Sequence, residues 1–219
     1  MKRKTLFIAG GALVALLLAG AALLYSNSGN QQAAQVAAQR MERLDRPYAP
    51  SKGNPAAPVH IVEFFDPACG TCAEFYPLVK KIMADHRQEI WLSVRYAPFH
   101  PGSQDVVKVL EASRKQGLFW PALEVLLENQ SGWAQNHAAH IDLIWPYLAR
   151  IGLDTARLKT DMQSPEVARV IDQDMQDANA LEVTATPEYF VDGHSLPSFG
   201  AQQLVQLVND ELDRARKPQ

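Results

Sequence analysis

The sequence predicts an α/β domain in which a βαβ half and a ββα half enclose a block of inserted helices. Two runs rich in β-branched and aromatic residues, 59–65 and 90–96, are separated by a helical pattern. A later strand and turn, 188–193, precede a final amphipathic helix. Between the two halves, residues 103–180 read as a series of helices.

The first half begins with a strand over 59–65, whose Val, Ile and Phe residues are typical of a buried central strand. Asp66-Pro67-Ala68 ends this strand, and a helix is expected from the cysteines that follow to about His86. Residues 90–96 then form the next strand. Strand, helix and strand in this order predict a right-handed βαβ unit with a parallel strand pair.

Apolar residues at helical spacing predict the helices of the inserted block. Val106, Val107 and Leu110 share one face of the first helix. Ser164 suits the N-cap of the last helix, and Pro165 suits its first helical position. The predicted helices are 103–116, 121–130, 141–150, 155–162 and 165–180.

The second half has its own turn signals. The segment 183–187 leads into a strand over 188–191, and Asp192-Gly193 then predicts a turn. Residues 195–197 are expected to return as an edge strand, because Pro is tolerated there. The last helix, 201–214, is expected to bury Leu204, Val205, Val208 and Leu212.

The N-terminus predicts export from the cytoplasm. Lys2, Arg3 and Lys4 precede an apolar run long enough to span a bilayer as a helix, and a basic flank stays on the cytoplasmic side. We therefore interpret 1–25 as a signal anchor, with a cleaved signal and a soluble periplasmic product as the alternative. Residues 26–57, rich in Asn, Gln, Ser and Pro, form the expected tether, and 58–216 form the folded domain.

Composition narrows the class of protein further. The 219 residues are 47% hydrophobic and 21% charged, a globular balance that suits one domain after the N-terminal tail. The formal net charge of -3 lacks the basic excess of a nucleic-acid-binding protein.

Cys69 and Cys72 are the only cysteines, and a bridge closing so short a loop would stabilise the fold little. They lie where a strand ends and a helix begins. The unpaired N–H groups and partial positive charge of a first helical turn stabilise a thiolate. Cys69, nearer the helix end, is therefore expected to be exposed and to attack disulfides, while Cys72 resolves the mixed disulfide. No cofactor is required.

Other interpretations of the CxxC pair remain open. It is also found as half of a zinc site, but such a site needs four ligands, and the six histidines are scattered along the chain. Two thiolates of an exported protein are also suited to carrying copper. A chaperone-like binding module with incidental redox chemistry is a further alternative.

Residues 62–72, which include Cys69-Gly70-Thr71-Cys72, resemble the active-site region of the DsbA-like family of thioredoxin-fold proteins. Glu63 stands six residues before Cys69, where this family often has a buried acid, and Pro77 matches its helix-kinking proline. Thr186-Pro187 resembles the family's cis-proline loop, and 103–180 its helical insertion. The resemblance covers residues 58–214 and implies a thioredoxin fold with a central mixed sheet.

The resemblance also implies roles for these residues. Glu63, buried beneath Cys72, would have a raised pKa and would exchange a proton with that thiol. Thr186 and cis-Pro187 would bind an extended substrate beside Cys69. Arg95 would pair with Glu63, as a basic residue does in some relatives. The alternatives are an exposed Glu63, a trans proline and a surface arginine.

The expected activity is disulfide exchange with exported client proteins through mixed disulfides, with a membrane redox partner that resets the pair. Gly70-Thr71 differs from the Pro-His pair of the strongly oxidising members, so a weaker oxidant is expected. Oxidase is our first interpretation, and reductase or isomerase is the second.

Overall fold

The computed structural model describes residue 31 and residues 35–217. The predicted anchor, 1–25, lies outside the described residues, as does the first part of the predicted tether. Among the described residues, no helix combines the length and the apolar character needed to cross a membrane.

The predicted order of strands and helices is confirmed, with three additional short strands. The strands are β1 (Ser51–Gly53), β2 (Val59–Phe65), β3 (Ile90–Tyr96), β4 (Ala134–Gln135), β5 (Ala138–Ala139), β6 (Glu188–Val191) and β7 (His194–Ser195). The helices are α1 (35–44), α2 (Gly70–Asp85), α3 (Ser103–Ser113), α4 (Phe119–Glu128), α5 (Trp145–Arg150), α6 (Thr155–Asp161), α7 (Pro165–Ala180) and α8 (Ala201–Arg216).

The central sheet is mixed and has the strand order β1-β3-β2-β6-β7. β2 and β3 run parallel, as the βαβ unit predicts, and the other neighbouring strands run antiparallel. Strands β4 and β5 form a separate hairpin within the inserted block. The α/β fold with inserted helices is thus confirmed.

Side chains of β2 alternate between two buried faces of the sheet. Val59 and Ile61 pack with residues of α2 and α8, whereas Val62 and Phe64 pack with residues of α7. Because successive side chains of a strand point to opposite faces, Glu63 lies on the same face as Ile61, toward α2. This places a carboxyl under the helix that carries the cysteines.

The folded domain begins earlier than the predicted residue 58. The described chain divides between Glu42 and Arg43, and the compact unit that contains the sheet starts at Arg43. Within it, β1 pairs with β3, and the Val94 N–H donates to the Pro50 carbonyl at 2.9 Å. The assignment of the whole of 26–57 to a tether is therefore wrong at its C-terminal end. β1 is a short exposed strand with no hydrophobic pattern that reveals it in the sequence.

Two further expectations need correction. Helix α4 begins at Phe119 rather than at Pro121, which is possible because the N–H groups of a first helical turn have no intrahelical partner. In α8, Leu204, Val208 and Leu212 are buried as predicted, but 37% of Val205 is exposed. Val205 borders the buried face of the helix, and the hydrophobic pattern alone overestimated the width of that face.

Candidate active site

Cys69 lies at the junction of β2 and α2, as predicted, and caps the N-terminus of α2 in an extended conformation. Its N–H donates to the Asp66 carbonyl at 3.1 Å, and its Sγ lies 3.1 Å from the Thr186 carbonyl oxygen. Cys72 lies one turn further into the helix. Only 5% of Cys69 is exposed and Cys72 is fully buried, so the expectation of an exposed Cys69 is wrong.

Hydrogen bonds lower the pKa of the Cys69 thiol to about 5. The largest effect comes from the Cys72 side chain, and the Thr186 side chain and the backbone N–H groups of Thr71 and Cys72 add to it. Burial opposes these bonds. Cys69 is therefore a thiolate at neutral pH, which is the nucleophilic form. The predicted effect of the first helical turn is present, but the neighbouring thiol contributes more.

The pKa of Cys72 moves in the opposite direction, well above its ordinary value. Burial is the main cause, and the hydrogen bond to Cys69 and the negative charge of Glu63 raise it further. The two sulfurs are not bonded to each other. The pair thus holds one proton at neutral pH, on Cys72, which suits a nucleophile beside its proton-bearing partner.

Glu63 is buried, as the resemblance implied, and burial raises its pKa to about 8. Glu63 is opposite Tyr189 in the antiparallel pairing of β2 and β6, and the Tyr189 hydroxyl donates to Glu63 Oε1 at 3.1 Å. This hydrogen bond favours the carboxylate but does not offset the burial. The carboxyl is consequently largely protonated at neutral pH.

The peptide bond between Thr186 and Pro187 is cis, as predicted. Pro187 is buried immediately before β6, and the Thr186 carbonyl faces the Cys69 sulfur. The structure therefore brings four predicted groups together: the two cysteines, Glu63 and the Thr186-Pro187 turn.

Arg95 does not pair with Glu63. In the parallel register Arg95 is level with Phe64, so it points to the face of the sheet opposite Glu63. There its guanidinium donates to Asp174 and Asp177 of α7, each at 2.8 Å. The alternation of side chains along neighbouring strands makes the expected pair impossible, and Arg95 belongs to a buried structural network instead.

Asp66 organises the turn that precedes Cys69, a role that the sequence analysis missed. Its fully buried carboxylate accepts hydrogen bonds from the Ala68 N–H at 2.8 Å and from His100 Nδ1 at 2.7 Å, and also from the Ser103 hydroxyl. Its position directly after a strand and three residues before a cysteine was an available signal. Its partners His100 and Ser103 had no such signal in the sequence, because they follow a different strand, β3.

Gln130 was also missed. Its side-chain amide donates to the Pro67 carbonyl at 2.8 Å and to the Cys69 carbonyl at 2.9 Å. Gln130 begins a short 3-10 turn after α4, so these two bonds connect the inserted helices to the turn between Pro67 and Cys69. No local sequence pattern distinguishes this glutamine from those on the surface.

In the part of the chain that the structure describes, no group of three or more His, Cys, Asp or Glu residues is arranged to hold a metal ion. The Glu63 carboxyl beside Cys72 suits proton transfer, and backbone amides donate hydrogen bonds to the Cys69 sulfur. The arrangement can stabilise one thiolate and protonate the other, which is the requirement for thiol–disulfide exchange.

A family model described as Thioredoxin matches residues 45–210. A solved thioredoxin-like oxidoreductase from Silicibacter pomeroyi is 30% identical, with a TM-score of 0.69 over 81% of this chain and 98% of that one. BdbD from Bacillus subtilis is 24% identical, with a TM-score of 0.67 over 76% and 94% of the two chains. Wolbachia pipientis alpha-DsbA1 is 17% identical, with a TM-score of 0.70 over 80% and 96%.

Curated relatives include much longer antiporters. A Na(+)/H(+) antiporter NhaA of Herminiimonas arsenicoxydans is 30% identical over 168 residues, which are 77% of this chain and 26% of the antiporter. A second NhaA, from Salinispora tropica, is 30% identical over 144 residues and matches across 21% of its length. The chain thus spans about a quarter of the length of these relatives.

Proposed function

We propose that this chain donates disulfides to exported proteins. The chain belongs to the thioredoxin family, is a thiol–disulfide oxidoreductase and has a DsbA-like fold. The observation that carries the proposal is the opposed pair of thiol pKa values. The pKa of Cys69 is lowered to about 5, while that of Cys72, one helical turn away, is raised.

The reaction begins with the Cys69–Cys72 disulfide. A client thiolate attacks the Cys69 sulfur, a client–Cys69 bond forms, and the bond to Cys72 breaks. Cys72 leaves as a thiolate and takes a proton, for which the Glu63 carboxyl is the nearby donor, because its pKa of about 8 keeps it protonated at neutral pH. A second client thiolate then attacks the client sulfur and releases Cys69. The client loses two electrons and the enzyme pair gains them.

The direction of exchange depends on Cys69, which is the leaving thiol of the second step. A thiol of low pKa leaves readily and stabilises the reduced enzyme, which makes its disulfide more oxidising. The Cys69 pKa of about 5 lies between values of about 7 for thioredoxin and about 3.5 for the strongly oxidising DsbA. This intermediate value supports a moderate oxidase, as expected for Gly70-Thr71 in place of Pro-His.

Thr186 and Pro187 are the proposed client-binding residues. The Thr186 carbonyl is 3.1 Å from the Cys69 sulfur, so a client chain extended along this turn would bring its own sulfur to the reacting atom. Phe199, which follows β7, is 52% exposed and packs on Phe75 of α2 with ring centroids 4.8 Å apart. This aromatic surface suits apolar side chains of unfolded clients.

We place the domain on the extracytoplasmic side of the inner membrane, tethered through 1–25 or released by cleavage. The clients would be other exported proteins, whose disulfides persist because the extracytoplasmic compartment is oxidising. Each catalytic cycle leaves the enzyme reduced, so a membrane redox partner must reoxidise the pair.

Two measurements test the proposal. Cys72→Ala should trap clients as covalent adducts on Cys69, and Cys69→Ala, the matched control, should trap none. Equilibration with glutathione buffers should give a reduction potential closer to about -120 mV than to about -200 mV. A potential of about -200 mV or lower would move the assignment to reductase or isomerase, and the absence of Cys69 adducts would remove the enzyme assignment.

A further inference from the structure

A cavity of about 310 Å³ lies beside the C-terminal half of α2. It opens to solvent and is lined by α2, by the strands β1 and β3, and by α4. This volume is at the lower end of the roughly 300–1,000 Å³ that small-molecule sites occupy. Its walls are largely apolar, and they include Tyr76, Val79, Met83, Leu92 and Trp120.

Gly53 of β1 keeps this cavity open. Its φ of +102° favours glycine, and a Cβ at this position would lie 2.5 Å from the Ile90 carbonyl oxygen and 2.9 Å from Met83 Cε. A larger residue therefore cannot be accommodated without displacing the backbone of β3. At this position β1 lies close to the Ile90 carbonyl of β3, and Gly53 has no side chain that could fill the cavity beside it.

Three cationic side chains, those of Lys52, Lys80 and Arg87, line the cavity. Lys80 Nζ is 3.6 Å from Glu124, but in the described part of the chain neither Lys52 nor Arg87 forms an ion pair. Lys52 Nζ instead lies 5.3 Å from the centroid of the Trp120 ring. The chain as a whole carries a net charge of -3, so this cluster is a local feature.

We propose that the cavity binds a small organic anion, with an apolar body of about ten carbons against Trp120 and a carboxylate held by Lys52 and Arg87. Moving an apolar ring or chain from water to these apolar walls is favourable and supplies binding free energy. The two cations without carboxylate partners supply the complementary charge. This site is separate from the redox pair, and the proposal does not rest on the proposed function.

Binding is tested with 2-naphthoate on the full chain in lipid nanodiscs, with empty nanodiscs as the blank. Tryptophan is replaced by 5-fluorotryptophan, and the Trp120 fluorine resonance is identified by its loss in Trp120→Phe. The Trp120 resonance should shift on titration, whereas that of Trp133, which is fully buried elsewhere, should stay in place. No shift of Trp120 up to the solubility limit of the probe would overturn the proposal.

Variants test the predicted ligand chemistry. The double variant Lys52→Gln with Arg87→Gln should weaken 2-naphthoate binding at least five-fold and leave the neutral 2-naphthylmethanol unchanged. Lys81→Gln is the matched control, because Lys81 lies on α2, is paired with Asp85 and does not line the cavity. Ala84→Phe should block both compounds. Equal naphthoate affinity in wild type and the double variant, or binding only of an acidic amphipathic peptide, would overturn the proposal.

Discussion

Gln130 Nε2 lies 2.9 Å from the carbonyl oxygen of Cys69, so a residue that follows an inserted helix holds the backbone of the proposed attacking cysteine. The same amide nitrogen donates to the Pro67 carbonyl on the other side of the turn. A side-chain amide has two N–H bonds, and here both are directed at the turn between Pro67 and Cys69. The insertion therefore positions the cysteine as well as covering it.

Gln130→Glu should raise the pKa of Cys69 by about one unit or more. The substitution removes both donors and adds a like charge near the thiolate, and like charges disfavour the ionised form. The pKa is measured from thiolate absorbance at 240 nm as a function of pH.

Gln116→Glu is the matched control for this prediction. The Gln116 side chain also bridges two backbone groups, the N–H and carbonyl of Asp154, but it lies on the surface of the insertion. Its replacement should leave the Cys69 pKa unchanged. An unchanged pKa in Gln130→Glu would mean that the turn holds its geometry without this glutamine.

Alkylation of the reduced enzyme by iodoacetamide should reach half its maximal rate near pH 5, because the rate follows the thiolate fraction of Cys69. Peptide mass spectrometry at pH 7 should find the label on Cys69 only, since Cys72 is buried and its pKa is raised. A midpoint near that of a free thiol, about 8.5, would contradict the proposed activation of Cys69.

Glu63→Gln should become progressively more stable than wild type as the pH rises from about 5 to about 8.5. The folded pKa of Glu63 is about 8, against 4.5 for an ordinary glutamate. A raised folded pKa means that the native state binds more protons in this window, so wild-type stability falls as pH rises. One pKa unit corresponds to about 1.4 kcal/mol, which limits the gain to roughly 5 kcal/mol.

This pH dependence is measured by urea unfolding of both reduced proteins across the pH range. Cys69, whose folded pKa is lowered, gives the opposite slope, with stability lost as pH falls through about 5. It does so in both proteins, so their difference reports mainly the titration of Glu63. The exposed Glu128→Gln serves as control and should stay within about 0.5 kcal/mol of wild type. A flat difference for Glu63→Gln would show that this carboxyl is already ionised.

Arg95→Met should lower the free energy of unfolding by about 3–5 kcal/mol, because it leaves the buried carboxylate of Asp174 without its cation. Asp177 loses the same partner but keeps its pair with Arg46. Both Asp174 and Asp177 are fully buried against Arg95. Arg157→Met, which breaks an exposed pair with Asp161, should cost less than about 1 kcal/mol. Urea unfolding measures both variants, and equal losses would argue against a structural role of the buried network.

The sequence by itself determined the order of the main strands and helices, and it pointed to Cys69 and Cys72 as the proposed redox pair. Residues 59–65 and 90–96 are mostly apolar because both faces of the sheet are covered, and such runs predict central strands directly. Cys69, Cys72 and the Thr186-Pro187 turn could be identified because each follows or precedes a strand in a recognisable local pattern. For these residues, a short stretch of sequence is enough to indicate both the local structure and the proposed role.

Only the tertiary structure decided which side chains meet across the chain. Glu63 and Arg95 lie on opposite faces of the sheet, so the carboxyl contacts Tyr189 while the guanidinium contacts Asp174. Gln130 reaches Cys69 across 61 residues of chain. Such contacts depend on strand register and on the docking of helices, which hydrophobic periodicity does not specify. For the same physical reason, the cavity beside α2 exists only once β1, β3 and α4 have assembled around that helix.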